Sequence, residues 1–129
     1  MVKGVIDILI ADTTVAELVG DSKMNTPKIY PVVSPQRENF PFIVVRQASG
    51  IKIGKGCSYQ GSYLVVIYEK SFDELEDITN AVIAACESGS NSEIDHSTLS
   101  NVSDDYVTKS EGDGMFAKQL TFDCSYNSN

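Results

Sequence analysis

The chain has 129 residues, of which 42% are hydrophobic, and a formal net charge of −8 at pH 7. This size predicts one domain over residues 1–129, and the apolar content excludes wholesale disorder. The acidic balance argues against nucleic-acid binding through the overall field, and no apolar run approaches the roughly 20 residues that a membrane-spanning helix needs.

The first twenty residues predict a bent or broken helix. Apolar side chains recur at helical spacing over residues 2–10, and the polar residues Asp12–Thr14 supply N-cap oxygens for a second helix, in which Glu17 would complete a capping box with Thr14. Asp7 interrupts the apolar stretch, which argues against a secretory signal and favours residence in the cytoplasm.

Three extended segments should follow. Residues 28–33 predict a short strand, which Pro31 confines to an edge of the sheet because proline cannot donate to the ladder. The segments 42–47 and 58–69 are rich in Val, Ile and Tyr, and the glycines between them predict a long hairpin.

A helix and two strands complete the pattern. Residues 72–87 keep helical spacing, and Ser71 with Glu74 has the sequence of a capping box. Residues 99–109 and 115–126 predict two strands, the second alternating cleanly except for Lys118. The fold class that follows is α+β, a mostly antiparallel sheet with an N-terminal helix and a central helix packed on it.

The residue types that support catalysis do not form a recognisable motif. Cys57, Cys86 and Cys124 lack the spacing of a zinc site or a disulfide framework, and His96 has polar neighbours that predict an exposed position. The glycine-rich run 50–56 lacks the Ser or Thr and the helix of a phosphate-binding loop. We therefore expect no enzyme activity and no cofactor.

A metal site is a weaker interpretation than an acidic rim. The acidic residues at positions 104, 105, 111 and 113 could gather Mg²⁺ or Ca²⁺, but their spacing matches no EF-hand. A solvated acidic surface at a subunit boundary is the preferred interpretation, and whether a cation assists assembly stays open.

Charge is segregated along the chain. Residues 71–113 contain eleven acidic side chains and one basic side chain, Lys109. Residues 1–70 contain eight Lys or Arg and six Asp or Glu. Two surfaces of opposite sign on one small subunit favour head-to-tail contact between copies, which closes into a ring or extends into a filament.

The order of several short motifs resembles the tail-completion or tail-terminator proteins of long-tailed bacteriophages. The motifs that carry the resemblance are Ala16-Glu17-Leu18-Val19-Gly20, Lys28-Ile29-Tyr30-Pro31, Ser34-Pro35-Gln36, Pro41-Phe42-Ile43-Val44-Val45, Tyr63-Leu64-Val65-Val66-Ile67-Tyr68 and Ser71-Phe72-Asp73-Glu74-Leu75. Tyr30, Pro31, Pro35, Gln36 and Pro41 would be structural, setting the extended entry into the sheet.

The resemblance implies a structural virion protein, made in the cytoplasm of a bacterial host. It would form a homo-oligomeric ring, commonly of six copies, at the end of the tail tube, stop tube growth and join the tail to the head connector. Its partners would be further copies of itself, the tail tube protein and the connector or stopper protein, while DNA passes through the pore without specific binding and no membrane is involved.

Charge sorting nominates residues for contact between copies. Basic and apolar candidates lie in the first half of the chain and acidic candidates in the second: Arg37, Arg46, Ile51, Lys52, Ile53 and Lys55 against Glu74, Asp77, Asp104 and Asp105. The apolar pair belongs to a basic glycine-rich tip, where such side chains cannot all reach the subunit's own core.

Three alternatives stay open at this point. The chain could be a head-side stopper or neck protein, a small acidic bacterial module that holds a peptide with its loop 50–61, or an enzyme that uses His96 and a thiol. The sequence does not state the ring size, the contractility of the tail, the host or the neighbouring proteins, since these depend on packed surfaces and on other genes.

Overall fold

The computed structural model describes residues 1–20, 27–31, 41–52, 58–108 and 114–127. In this part of the chain three helices accompany five strands. The elements are α1 (Val2–Ala11), α2 (Thr13–Leu18), β1 (Ile29–Pro31), β2 (Phe42–Lys52), β3 (Ser58–Glu69), α3 (Phe72–Ser88), β4 (Ile94–Thr108) and β5 (Gly114–Asn127). The predicted α+β class is confirmed.

The strands form one sheet in the order β1-β2-β3-β5-β4. All neighbouring pairs are antiparallel except β1 and β2, which are parallel. The short strand β1 stands at one edge, as its proline predicts, and the long strand β4 stands at the other. The sheet is therefore mostly antiparallel, as expected from the sequence.

The predicted break after the first helix is confirmed at Asp12. Its side chain accepts a hydrogen bond from the amide of Val15 at 3.0 Å, which makes it the N-cap of α2. The capping box expected between Thr14 and Glu17 is wrong because the N-cap is Asp12 and α2 begins at Thr13, two residues before the predicted start at Val15.

The capping box expected at the start of α3 is also wrong. Ser71 is the N-cap residue, but its side chain makes no cap hydrogen bond. The Glu69 carboxylate instead accepts from the amides of Lys70 at 2.7 Å and Ser71 at 3.4 Å. Glu69, the last residue of β3, thus accepts hydrogen bonds from the backbone just before the helix. Glu74 is therefore not needed for a capping box and can make another contact.

Two strands are longer than the sequence predicted. β2 continues past Gln47 to Lys52, because Gly50 pairs with Gly61 instead of ending the strand. β4 begins at Ile94, five positions before the predicted start at Leu99. Register shifts between Ile94 and His96 and between Leu99 and Asn101 accommodate extra residues that disturb the period of two.

All three helices contribute to a core on one face of the sheet, here called the helix face. Fully buried side chains from the helices, among them Leu9, Val15 and Ile78, join those of the strands, among them Ile67 and Phe122. Exclusion of these apolar side chains from water is the main stabilising term of the fold. The opposite side is here called the helix-free face, since none of the described helices covers it.

Candidate functional site

The acidic candidates lie mainly on α3 and β4. Glu74 and Asp77 are exposed on α3, and Asp104 is exposed on β4, where it pairs with Lys118 of β5 in the ladder. Asp105 follows on β4 opposite Ala117. Because α3 contains acidic residues and no Lys or Arg, all of its charged side chains are negative.

The basic candidates that the structure describes lie on β2, toward the opposite edge of the sheet from β4. Arg46 is exposed on β2, and Ile51 and Lys52 end the same strand. The predicted contact residues Arg37, Ile53 and Lys55 lie outside the described residues. Within the sheet, β3 and β5 lie between β2 and β4, so the two sets of charges belong to strands that are not neighbours.

Lys118, the residue that breaks the alternation of β5, is a buried cation that contacts two partly exposed carboxylates. Its side chain is 7% exposed, and its Nζ atom contacts the carboxylates of Glu76 and Asp104, the second at 3.2 Å. The ammonium also lies 5.9 Å from the ring centre of Phe72. Burial lowers the pKa of Lys118, but hydrogen bonds to Glu76 and Asp104 outweigh it, and the net pKa is raised.

This cluster changes the interpretation of Asp104. Its carboxylate already has a cation within the chain, yet it is 64% exposed and can accept a second donor from outside. From the sequence, Lys118 was predicted only to be an exception to the alternation of β5. The signal that could have revealed the cluster was that same lysine at a core position, since a buried ammonium needs a carboxylate partner.

Two carboxyl groups meet at the start of α3. Glu69 is 4% exposed, and its Oε2 atom has no hydrogen-bond donor among the described residues. The pKa of Glu74 is raised, first by a hydrogen bond with Glu69 and then by the charges of Glu69 and Asp77. A proton on Glu74 allows this hydrogen bond and removes its repulsion with the neighbouring carboxylates, which is why its pKa is raised.

Replacing Glu74 by Gln should make the free energy of unfolding less sensitive to pH. The raised pKa means that the folded state holds this proton more tightly, so wild-type stability falls as pH rises above the normal glutamate range near 4.5. Glu74→Gln removes that loss, and its advantage over wild type should grow from pH 4 to 7. Urea unfolding at several pH values measures it.

Asp73→Asn is the matched control, because Asp73 lies in the same first turn and shares the favourable interaction with the helix dipole. An equal pH response in the two variants would contradict the proposed contact with Glu69.

The helix-free face has a depression of about 280 Å³ near the middle of the sheet. Arg46 and Tyr68 line one side, Gln119, Ser103 and Asp104 the other, and apolar side chains form part of the wall. Phe42 stacks on Tyr68 with ring centres 4.8 Å apart. The surface therefore combines a cation, polar groups and aromatic area, which suits contact with another protein.

Among the described residues, the histidine and the thiols of the enzyme interpretation lie in different surroundings. His96 is exposed on β4 and its Nε2 atom lies 3.0 Å from the hydroxyl of Thr98, whereas Cys86 and Cys124 belong to the core. Burial raises the pKa of Cys86 to about 12 and that of Cys124 to about 11, so both thiols stay protonated at neutral pH. Cys57 lies outside the described residues.

Within the described ranges, no group of three or more His, Cys, Asp or Glu side chains is arranged to hold a metal ion. Positions 111 and 113 of the cation interpretation lie outside those ranges, and Asp104 faces Lys118. Among the same residues, no helix has both the length and the apolar character needed to cross a membrane.

Comparison with known proteins identifies a shared fold. No family model matches the chain, and no curated protein matches it. Among solved structures, it is similar to a chain of the structure described as "Virion of native gene transfer agent (GTA) particle", with a TM-score of 0.71 and 16% sequence identity. The match covers 99% of this chain and 95% of that chain, so the likeness extends over the whole fold.

Proposed function

We propose that this protein is a structural component of a phage-type virion, and specifically a subunit that forms a ring at the end of the tail tube. The observation that carries the proposal is the fold likeness, because it covers nearly all of both chains and the similar chain belongs to a virion particle. The motif order of the sequence supports the more specific role at the tail end.

The distribution of charge supports assembly by unlike surfaces. Asp73, Glu74 and Asp77 are exposed on α3. Arg46 is exposed on β2, which lies toward the opposite edge of the sheet from β4. Two like surfaces of this kind repel each other, and two unlike surfaces attract, which favours heterologous contact. A heterologous contact that closes produces a ring, and six copies is the number that the motif resemblance implies.

The proposed partners follow from this location. One side of the ring would bind the last layer of tail tube protein, and the other would bind the connector or stopper of the head. DNA would pass through the pore without specific contacts, because a chain of net charge −8 does not attract phosphates. The mature protein would reside in the virion tail, and its role would need no turnover and no cofactor.

The test is assembly of the purified protein. Negative-stain electron microscopy should show rings with a central hole, and tail tubes should bind the protein at their ends and stop growing. A protein that stays monomeric at high concentration and does not bind tail tubes contradicts the proposal. Binding to head connectors without binding to tubes would indicate the head-side stopper instead.

Charge reversal on the basic side should weaken the ring. Arg46→Glu replaces an exposed cation on β2 by an anion, so it should repel the acidic surface of the next copy and shift the sedimentation profile toward monomer. The same experiment applies to Lys52→Glu. The dissociation constant should rise at least about tenfold at low salt, and less at high salt where exposed charges are screened.

Lys3→Glu is the matched control, since Lys3 is exposed on α1 and the change in net charge is the same. Equal weakening by the α1 variant would show that net charge, and not the β2 surface, controls assembly.

A further inference from the structure

β4 is the longest of the described strands and lies at an edge of the sheet. It has 15 residues, it pairs with β5 on one side, and none of the described strands pairs with its other side. The amide of Leu99 donates to the carboxylate of Glu87 at 3.3 Å, but from Asn101 to Thr108 the ladder with β5 continues without a register shift. A regular edge of this kind presents backbone donors and acceptors that another strand can bind.

A second incomplete edge lies at the other side of the sheet. β1 has three residues and pairs only with the segment 43–45 of β2. From Arg46 to Lys52, β2 has no partner on that side among the described residues. Among the described strands, β1 therefore pairs with the first part of β2, and the segment 46–52 has a strand partner only on its β3 side.

The two edges carry opposite charges. Between Arg46 and Lys52 β2 has two basic residues and no acidic one, whereas the regular part of β4 has Asp104 and Asp105 and no Lys or Arg. Asp104 stays 64% exposed despite its contact with Lys118. Opposite charges on facing strands stabilise pairing, and like charges oppose it, so the favoured partner of each edge is the other edge.

The directions of the strands agree with this pairing. Three successive antiparallel pairings lead from β2 through β3 and β5 to β4, so β4 runs opposite to β2. Rotation about a ring axis preserves the direction of each strand along that axis. The β4 strand of one copy therefore meets the β2 strand of the next copy in antiparallel orientation, the geometry with the more stable hydrogen bonds.

The register is restricted by β1. Arg46 lies level with Asn101 across the sheet, through the successive partners Leu64 and Thr121. If β4 of one copy were placed beside β2 of the next copy without any shift along the strands, the acidic end of β4 would overlap with β1. That strand already occupies the place beside residues 43–45. β4 must therefore be displaced toward the Lys52 end of β2, and a stagger between strands is what a closed, tilted sheet requires.

From these observations we infer that adjacent copies join by adding the β4 edge of one subunit to the segment 46–52 of β2 in the next, so that the sheet continues around the ring. This inference rests on the proposed function and names the contact by which it is achieved. The displacement places Asp104 and Asp105 beside a segment that begins and ends with a cation. Backbone hydrogen bonds would supply affinity, and the charges would select the orientation.

Disulfide cross-linking between two different variants tests this contact. Gln47→Cys is mixed in turn with single-cysteine variants at each position from 101 to 108, all in a Cys57→Ser background; Cys86 and Cys124 are buried. After oxidation, non-reducing gels should show covalent dimers for alternate positions on β4, because successive residues of a strand point to opposite faces. No variant should cross-link when oxidised alone.

Each other outcome has a definite meaning. Rings without any cross-link would overturn the edge contact and leave the proposed function intact, whereas loss of rings for the unmodified protein would overturn the proposed function itself. Dimers from a β4 variant alone would show two β4 edges pairing with each other, which also overturns the inference. Glu17→Cys, exposed on α2, replaces the β4 variant as a control and should not cross-link with Gln47→Cys.

Discussion

Phe122→Ala should lower the free energy of unfolding by about 3–5 kcal/mol, which is the usual range for removing a buried aromatic ring. Phe122 is fully buried at the centre of β5 and stacks on Tyr63 of β3, with ring centres 5.2 Å apart. The substitution removes apolar contact area and leaves a cavity between sheet and helix. Urea unfolding followed by circular dichroism at a fixed protein concentration measures the change.

Tyr63→Phe is the matched comparison within the same pair. The Tyr63 hydroxyl is buried and makes no hydrogen bond of good geometry with the described residues, although Ser97 and Cys86 lie near it. Its removal should therefore change stability by less than about 1 kcal/mol, in either direction. A loss comparable to that of Phe122→Ala would show that the hydroxyl is bonded in solution.

Glu76→Ala should destabilise the protein by about 2 kcal/mol, more than replacement of Lys118 itself by Met. Lys118 is 7% exposed, so loss of Glu76 leaves a buried ammonium with Asp104 as its remaining carboxylate contact. Lys118→Met removes the buried charge and keeps a side chain of similar shape. The two carboxylates that it leaves are 41% and 64% exposed, and water can solvate them.

The order of the two variants is the decisive result, measured by urea unfolding at pH 7. We expect Lys118→Met to remain within about 1 kcal/mol of wild type. If Lys118→Met were the more destabilising change, the ion pairs would add to the stability of the fold. They would then do more than offset the cost of burying the ammonium. The double variant should be no less stable than Glu76→Ala alone, since its buried cation is gone.

The ion cluster also bears on the proposed ring. Asp104 belongs both to this cluster and to the acidic edge of β4, so variants at Asp104 would confuse stability with assembly. For that reason the charge-reversal experiments use Arg46 and Lys52 on the opposite edge. Because self-association adds its own stabilisation, unfolding should be compared at equal protein concentration.

The sequence by itself determined the elements and their faces. Helical spacing located α1 and α3, Pro31 marked an edge strand, and the alternation from Phe116 to Tyr126 identified the buried side of β5. These signals are local, because each depends on residues within a few positions of one another. The segregation of charge was equally visible, since it follows from counting.

Tertiary structure alone decided which distant groups meet. Glu69 displaced the capping box predicted at Ser71, and Gly50 joined the ladder because Gly61 lay opposite it. Likewise, Lys118 contacts carboxylates on α3 and β4, at positions 76 and 104. Local patterns specify how a segment folds, but partners far apart in sequence are brought together only by the order and register of strands, which no short-range periodicity records.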